Sequence, residues 1–478
     1  MFSTIYFAAS SILAADDVPA TLTSKVLEGR FAEAVRLAAN LTDIDSDQGT
    51  RNLDRLQTFA DLQLILGRHE EAEETYRRAQ KSVRHSRNAM RIVSCRNTGW
   101  QALFRSQFSV ALSCFKRNEQ ERTATIEQRL DNLVGSTLVL FHLGRIQDAC
   151  ASLAELSSVA STSGDQRWCD LASALAADLH AQQQLLCSEH LADHIYWRSV
   201  IADFSLDSAI VCQDLSTCTI PVLARRGEYL GYLLALARGE LDAWTNLKDY
   251  AGGIRNSALG DYHRTLCLEI ALAALAGRFP TVAEGMLDAS GIAASKGVQH
   301  ARWYLDYLYC RAKVLHLQAR VQEFAHTFEH YALVSLKHVR ADNVALAMIT
   351  PQTATQPSRN EQAPDEVSSR LPAKYRRAYR YLMDNLDQRN LTVREVAAHI
   401  GVTERAVQAA FKNHLGLSPS ELIRRERMER IRNDLLGDGA PVSRYLDVAR
   451  RWGVGHRSTL TNGYRSVFKE LPSETLGR

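Results

Sequence analysis

A chain of 478 residues exceeds what one hydrophobic core usually serves, so two or three domains are expected, and with 46% hydrophobic and 23% charged residues its composition is that of a soluble globular protein. The net charge is only +3, yet Leu371 to Arg478 hold 20 Lys and Arg against 12 Asp and Glu, a local +8 that leaves −5 on the rest of the chain. A basic tail on a mildly acidic body fits one domain that meets phosphate and another that does not.

The first element is the apolar run Phe2 to Ala15. It lacks the basic start of a secretory signal, since the first Lys or Arg is Lys25, and it is shorter than the ~20 apolar residues that a spanning helix needs. It reads as a buried first helix, and no longer apolar stretch follows. All nine cysteines lie between Cys95 and Cys310, an odd number with no CxxC pair. That argues against a disulfide framework or a zinc ribbon and fits reduced core residues in a cytosolic protein.

A repeat then runs through the body. Gly29, Gly67, Ser106 and Gly144 are separated by 38, 39 and 38 residues, and Gly239 and Gly277 again by 38. Two positions after the first four come Phe31, His69, Phe108 and Ile146, and five positions after them Ala34, Ala72, Ala111 and Ala149, small residues that let paired helices approach closely. The stretch Leu66-Gly67-Arg68-His69-Glu70-Glu71-Ala72, continuing to Tyr76 and Ala79, resembles the turn and second helix of a tetratricopeptide (TPR) repeat, with degenerate copies over Lys25 to Arg340 and a poor fit from Ser157 to Pro221. The expected body, residues 1–350, is therefore an all-α, TPR-like right-handed solenoid whose concave surface binds a protein or peptide, or which serves to dimerise the chain. From Pro351 to Pro372, four of the chain's ten prolines fall within 22 polar residues, which marks 351–372 as a linker.

The remaining segment, 373–478, begins with a helix from Tyr375 to Leu386 that carries Tyr375, Ala378, Tyr379 and Leu382 on one face. Thr392 is placed to cap a helix from Val393 to His399, Gly401 allows a tight turn, and Thr403 caps a second helix from Glu404 to about Asn413. On that second helix Val407, Ala410 and Phe411 point inward, while Arg405, Gln408, Ala409 and Lys412 share the outer face. The same plan recurs. Leu446 to Trp452 is a helix, Gly453 a turn, and Arg457 to Phe468 a helix whose outer face presents Arg457, Ser458, Thr461, Asn462 and Arg465.

These residues carry a family resemblance. The string from Leu391 to Leu436 and the string from Asp447 to Leu476 resemble the double helix-turn-helix region of AraC-type transcription regulators, with matching features at Val448-Ala449, Gly453-Val454, Tyr464, Phe468 and Pro472-Ser473 and one departure at Lys469, where the family usually has Gly. The resemblance implies that Leu417-Ser418-Pro419-Ser420 starts a long helix joining the two units. It also implies that Arg405, Gln408, Ala409, Arg457, Ser458, Thr461 and Asn462 contact bases. Residue chemistry agrees: Arg forks onto guanine, Gln and Asn pair with adenine, and Ala or the Thr methyl meets the thymine methyl. Thr392, Lys412 and Arg465 suit phosphates. The joining helix, Pro419 to about Leu436, would be ~27 Å long against a groove repeat of ~34 Å, so bound DNA should bend toward the protein or one unit should sit imperfectly.

A long helical body with Tyr6-Phe7-Ala8-Ala9 near its start resembles, within this family, the HrpB/HrpX activators of type III secretion genes. That implies a cytoplasmic, nucleoid-associated activator that reads a direct repeat in promoter DNA, works with RNA polymerase, has homodimer or peptide contacts through the body, and needs no cofactor and no membrane. An enzyme would need a site. His326-Thr327-Phe328-Glu329-His330 matches an H-x-x-E-H zinc pattern but is followed closely by the linker, and His190 and His194 share helical spacing without an intervening Glu. The alternative to a regulator is an interaction scaffold whose tail only docks it to DNA or partners.

Overall fold

The computed structural model describes residues 2–44, 51–83, 86–197, 217–255, 259–294, 301–349, 371, 373–436, 445–468 and 470–475, and among these the chain is all-helical, with no strand. It divides into two compact units, one of residues 1–79 and 92–353 and one of 80–91 and 354–478. The proline-rich 351–372 lies, apart from Leu371, outside the described residues, as does Lys469.

The first unit is built from helices that pack on their chain neighbours. Ile126–His142 lies on Ile146–Ser163, Gly260–Ala276 on Pro280–Ala289, and Trp303–Leu317 on Val321–Ile349. The regular markers in the sequence are the hinges of this arrangement. Gly29, Gly67, Ser106, Gly144 and Gly239 each hold a positive φ, between 57° and 97°, in the short connection that ends one helix and starts the next. Helices begin at Phe31, His69, Phe108 and Ile146, and Ala34, Ala72, Ala111 and Ala149 are buried. Gly277 is a different case. The left-handed residue there is Arg278, at φ 66°. Gly277 is glycine because a Cβ would come within 2.0 Å of the Leu236 carbonyl oxygen, so the end of one helix rests directly on the backbone of another.

All eleven residues of the first helix, Ser3–Leu13, are buried. It packs against Arg51–Ile65, Ile126–His142, Gln166–Leu186 and Pro221–Ala237 as well as its neighbour Ala20–Leu27. Four helices from separate stretches of the unit thus share the chain's own first helix as a packing partner. Phe7 packs against Trp100 with the rings tilted and their centroids 4.5 Å apart, and Phe2 meets Phe141 edge-on at 6.1 Å. Burial of each such ring contributes about 1.5–3 kcal/mol.

A helix buried on every side must also satisfy its hydroxyls. Ser10 donates to Asp131 at 2.6 Å, Ser11 donates to Asp61, Tyr6 donates to Asp178 at 2.9 Å, and Ser3 pairs with His142 at 3.1 Å. The carboxylates are held in turn by two buried arginines. Arg96 lies between Asp61 (2.8 Å) and Asp131 (2.9 Å), and Arg226 between Asp178 and Glu269 (2.8 Å each). Tyr229 and Gln182 complete the second cluster by donating to Glu269. Burial opposes the charge on Arg226, but Asp178 and Glu269 outweigh it and hold the guanidinium well above its ordinary range. Of the cysteines, the eight described are all free.

Two outcomes follow. Arg226→Ala leaves two buried carboxylates facing each other and should destabilise the first unit by about 3–5 kcal/mol, read as a lower urea midpoint of the full chain. Burial, with the Arg302 cation nearby, pushes the His142 imidazole down to about 3. Below about pH 6.5 the unfolded chain therefore binds a proton at His142 that the folded chain refuses, so the contribution of His142 to stability falls by about 1.4 kcal/mol per pH unit as the pH drops toward 3. His142→Gln should flatten this dependence in urea titrations run from neutral to acid pH, and an unchanged slope would show that His142 does not set it.

Candidate nucleic-acid interface

The second unit contains two small hydrophobic cores threaded by one helix. Ala373–Asp384 buries Ala378, Tyr379 and Leu382 against Val396, Val407, Phe411 and Leu415, while Tyr375 is partly buried beside them. Thr392 caps Val393–His399 by accepting from the Glu395 amide at 3.3 Å, and Thr403 caps Glu404–Leu415 by accepting from the Ala406 amide at 3.2 Å. The second of these helices runs two residues beyond the expected Asn413, because the left-handed residue that ends it is Gly416.

The joining helix is Pro419–Leu436. Ser418 and Glu421 cap its start reciprocally, each side chain accepting from the other's backbone amide. Leu422 and Ile423 belong to the first core, and Met428, Ile431 and Leu435 to the second. At 100° per residue these two sets lie on roughly opposite faces of the helix.

The second core repeats the plan of the first. Tyr445–Arg451 sits one residue earlier than read from sequence, Gly453 turns with φ 72°, and Arg457–Phe468 buries Leu460, Gly463 and Tyr464. Tyr464 is fixed by a 2.8 Å hydrogen bond between its hydroxyl and that of Thr475. The joining helix adds cationic contacts, with Arg430 over Trp452 at 4.9 Å and Arg432 over Phe468 at 4.5 Å. Trp452 donates to Asp434 at 2.9 Å.

The expected site residues fall on two outward faces. Arg405, Gln408, Ala409 and Lys412 are exposed along Glu404–Leu415, and Arg457, Ser458, Asn462 and Arg465 are exposed along Arg457–Phe468 with Thr461 half-buried. Thr392 is exposed at the start of Val393–His399. Each face is backed by buried apolar residues of the same helix, so the side chains project from a fixed base. Sequence reasoning did not find Arg389 and Arg427, whose contacts join the two helix-turn-helix units.

The chemistry weighed against DNA binding is not gathered into a site. His326, Glu329 and His330 are exposed on Val321–Ile349, and among the described residues no group of three or more His, Cys, Asp or Glu is placed to hold a metal ion. His194 is buried and contacts Asp306 and Tyr331, whereas His190 accepts from Arg278. No helix among the described residues is long and apolar enough to cross a membrane.

Residues 396–478 match the model of a helix-turn-helix domain. Over its full length the chain is 36% identical to the full length of the regulatory protein HrpB of Ralstonia nicotianae. About a quarter of it matches about a third of two further proteins: a probable thc operon regulatory protein of Rhodococcus erythropolis at 35% identity, and the XylDLEGF operon transcriptional activator 1 of Pseudomonas putida at 31%. No solved structure matches. Two tandem helix-turn-helix units on one joining helix, together with end-to-end similarity to HrpB, show that the chain belongs to the HrpB family of AraC-type DNA-binding transcription regulators.

Proposed function

We propose that this regulator is an activator of type III secretion genes, working in the cytoplasm at the nucleoid without catalysis of its own, and that its two heads read a direct repeat in promoter DNA. The observation that carries the direct-repeat reading is the joining helix. Both reading helices are anchored to that one helix, one through each of its apolar faces, and they follow one another in tandem on one chain, which supports a direct repeat over a palindrome. Arg405, Gln408 and Ala409 meet bases in one half-element and Arg457, Ser458, Thr461 and Asn462 in the other. Thr392, Lys412 and Arg465 hold phosphates. The joining helix has 18 residues. Its ~27 Å falls short of the ~34 Å between successive grooves, so either the DNA bends toward the protein or one head sits imperfectly, at a sequence-dependent cost. The helical body supplies homodimer or peptide contacts, and RNA polymerase is the partner at the promoter.

Selection from random duplexes by the full chain, followed by mobility shifts of variants, tests this reading. Arg457→Ala should cost about 1–3 kcal/mol on the selected duplex and relax specificity in one half-element only. Lys412→Ala and Arg465→Ala should weaken selected and random duplexes about equally, and each should lower the salt dependence by about one phosphate contact. If Arg457→Ala behaved like Lys412→Ala across the salt series, the division into base-reading and phosphate-holding residues would be wrong.

A further inference from the structure

One cluster of contacts in the second unit belongs to neither core. Arg427 leaves the joining helix and donates from Nε to the Leu386 carbonyl at 2.9 Å and from Nη2 to the Gln388 carbonyl. These carbonyls sit in the turn that precedes the first helix-turn-helix unit. On its other side the same guanidinium lies against Gly453, the turn of the second unit. A Cβ at Gly453 would fall 2.9 Å from Arg427 Nη2 and 3.1 Å from the Asp387 carbonyl oxygen. Gly453 is thus glycine for two reasons, its φ of 72° and this approach. Two residues further on, a Cβ at Gly455 would fall 3.0 Å from the guanidinium carbon of Arg389, and Arg389 Nη2 lies 3.3 Å from His456 Nε2, immediately before the second reading helix.

We infer that Arg427 and Arg389 form a clamp that fixes the second head against the 386–389 turn of the first, and so sets the spacing at which the protein accepts the two half-elements. The physical case is one of degrees of freedom. The joining helix alone fixes how far apart the heads are. Each head could still rock about its own end of that helix if the two met nowhere else. A planar guanidinium donating to two carbonyls of one turn while packed against the backbone of another removes that rocking, because its donors have fixed directions. Rigidly linked heads bind as one unit, with the second contact made at high effective concentration only when the DNA geometry matches. Arg427 and Arg389 therefore act as positioning residues. This inference rests on the direct-repeat reading proposed above.

The test uses the full chain and the duplex recovered by random-sequence selection, prepared with its two half-elements at the selected spacing, with one base pair inserted or removed, with one half-element scrambled, and with one half-element inverted. Arg427→Ala should bind the selected spacing about tenfold more weakly. It should bind the single half-element as the wild-type protein does, so that discrimination between spacings largely disappears. Arg389→Ala removes an exposed side chain at little cost to folding and should shift the same ratio in the same direction by a smaller factor, while Arg427→Lys should restore it only in part. Misfolding would lower binding to all duplexes together and leave the ratio untouched. Unchanged spacing discrimination in both alanine variants, with a wild-type protein that prefers the direct repeat, overturns the clamp alone. A wild-type protein that binds the inverted arrangement equally well overturns the direct-repeat reading, and the clamp's role in spacing falls with it.

Discussion

The joining helix Pro419–Leu436 has to satisfy two hydrophobic cores from a single backbone, and the DNA-binding unit is organised around that constraint. A helix at the surface of one core carries one apolar stripe. This one carries Leu422 and Ile423 toward the first core and Met428, Ile431 and Leu435 toward the second, on roughly opposite sides. The exposed side chains of Glu404–Leu415 and Arg457–Phe468 inherit their place from those five residues, because Phe411 and Tyr464 pack in the same two cores from the inner faces of these helices. The heads also meet outside the cores through Arg427 and Arg389, so polar contacts add to what the shared helix already fixes.

The helical body solves a different problem. Its first helix is surrounded, so its serines and its tyrosine cannot reach water, and the surrounding helices supply Asp61, Asp131, Asp178 and His142 to meet them. Buried carboxylates are costly unless paired, and Arg96 and Arg226 each pair two. The two clusters share a design of one cation between two anions, with a tyrosine or tryptophan donating to the same carboxylate oxygens that the arginine bonds.

Much of this was legible in the residues. The helix-turn-helix units could be placed within a residue or two because they depend on local signals: threonine caps in the first, and in both an alternation of small and apolar residues and a glycine turn. The 38-residue markers were legible because a left-handed residue must recur wherever one helix turns into its partner. Gly277 broke that pattern, since its reason is contact with a helix forty residues away, and spacing alone cannot distinguish the two causes. The carboxylates Asp61, Asp131 and Asp178 were illegible for a related reason. On an amphipathic helix a charged residue reads as solvated, and only the arrival of a distant arginine makes it part of the interior. The same holds for Arg427, which in the sequence is one arginine among several on a basic helix.

The position of the first helix also bears on how the body folds. Stacked helix pairs usually depend on their immediate neighbours alone, so such arrays can fold piecemeal. Here the opening helix is made before any of its partners, yet Tyr6 waits for Asp178, 172 residues later, and the ring of Phe2 for the Arg226 cation. Contacts this distant in sequence raise the cost of closing the chain and slow its folding. They also tie the first helix to four helices from separate stretches of the chain, helices that neighbour contacts alone would leave more independent of one another.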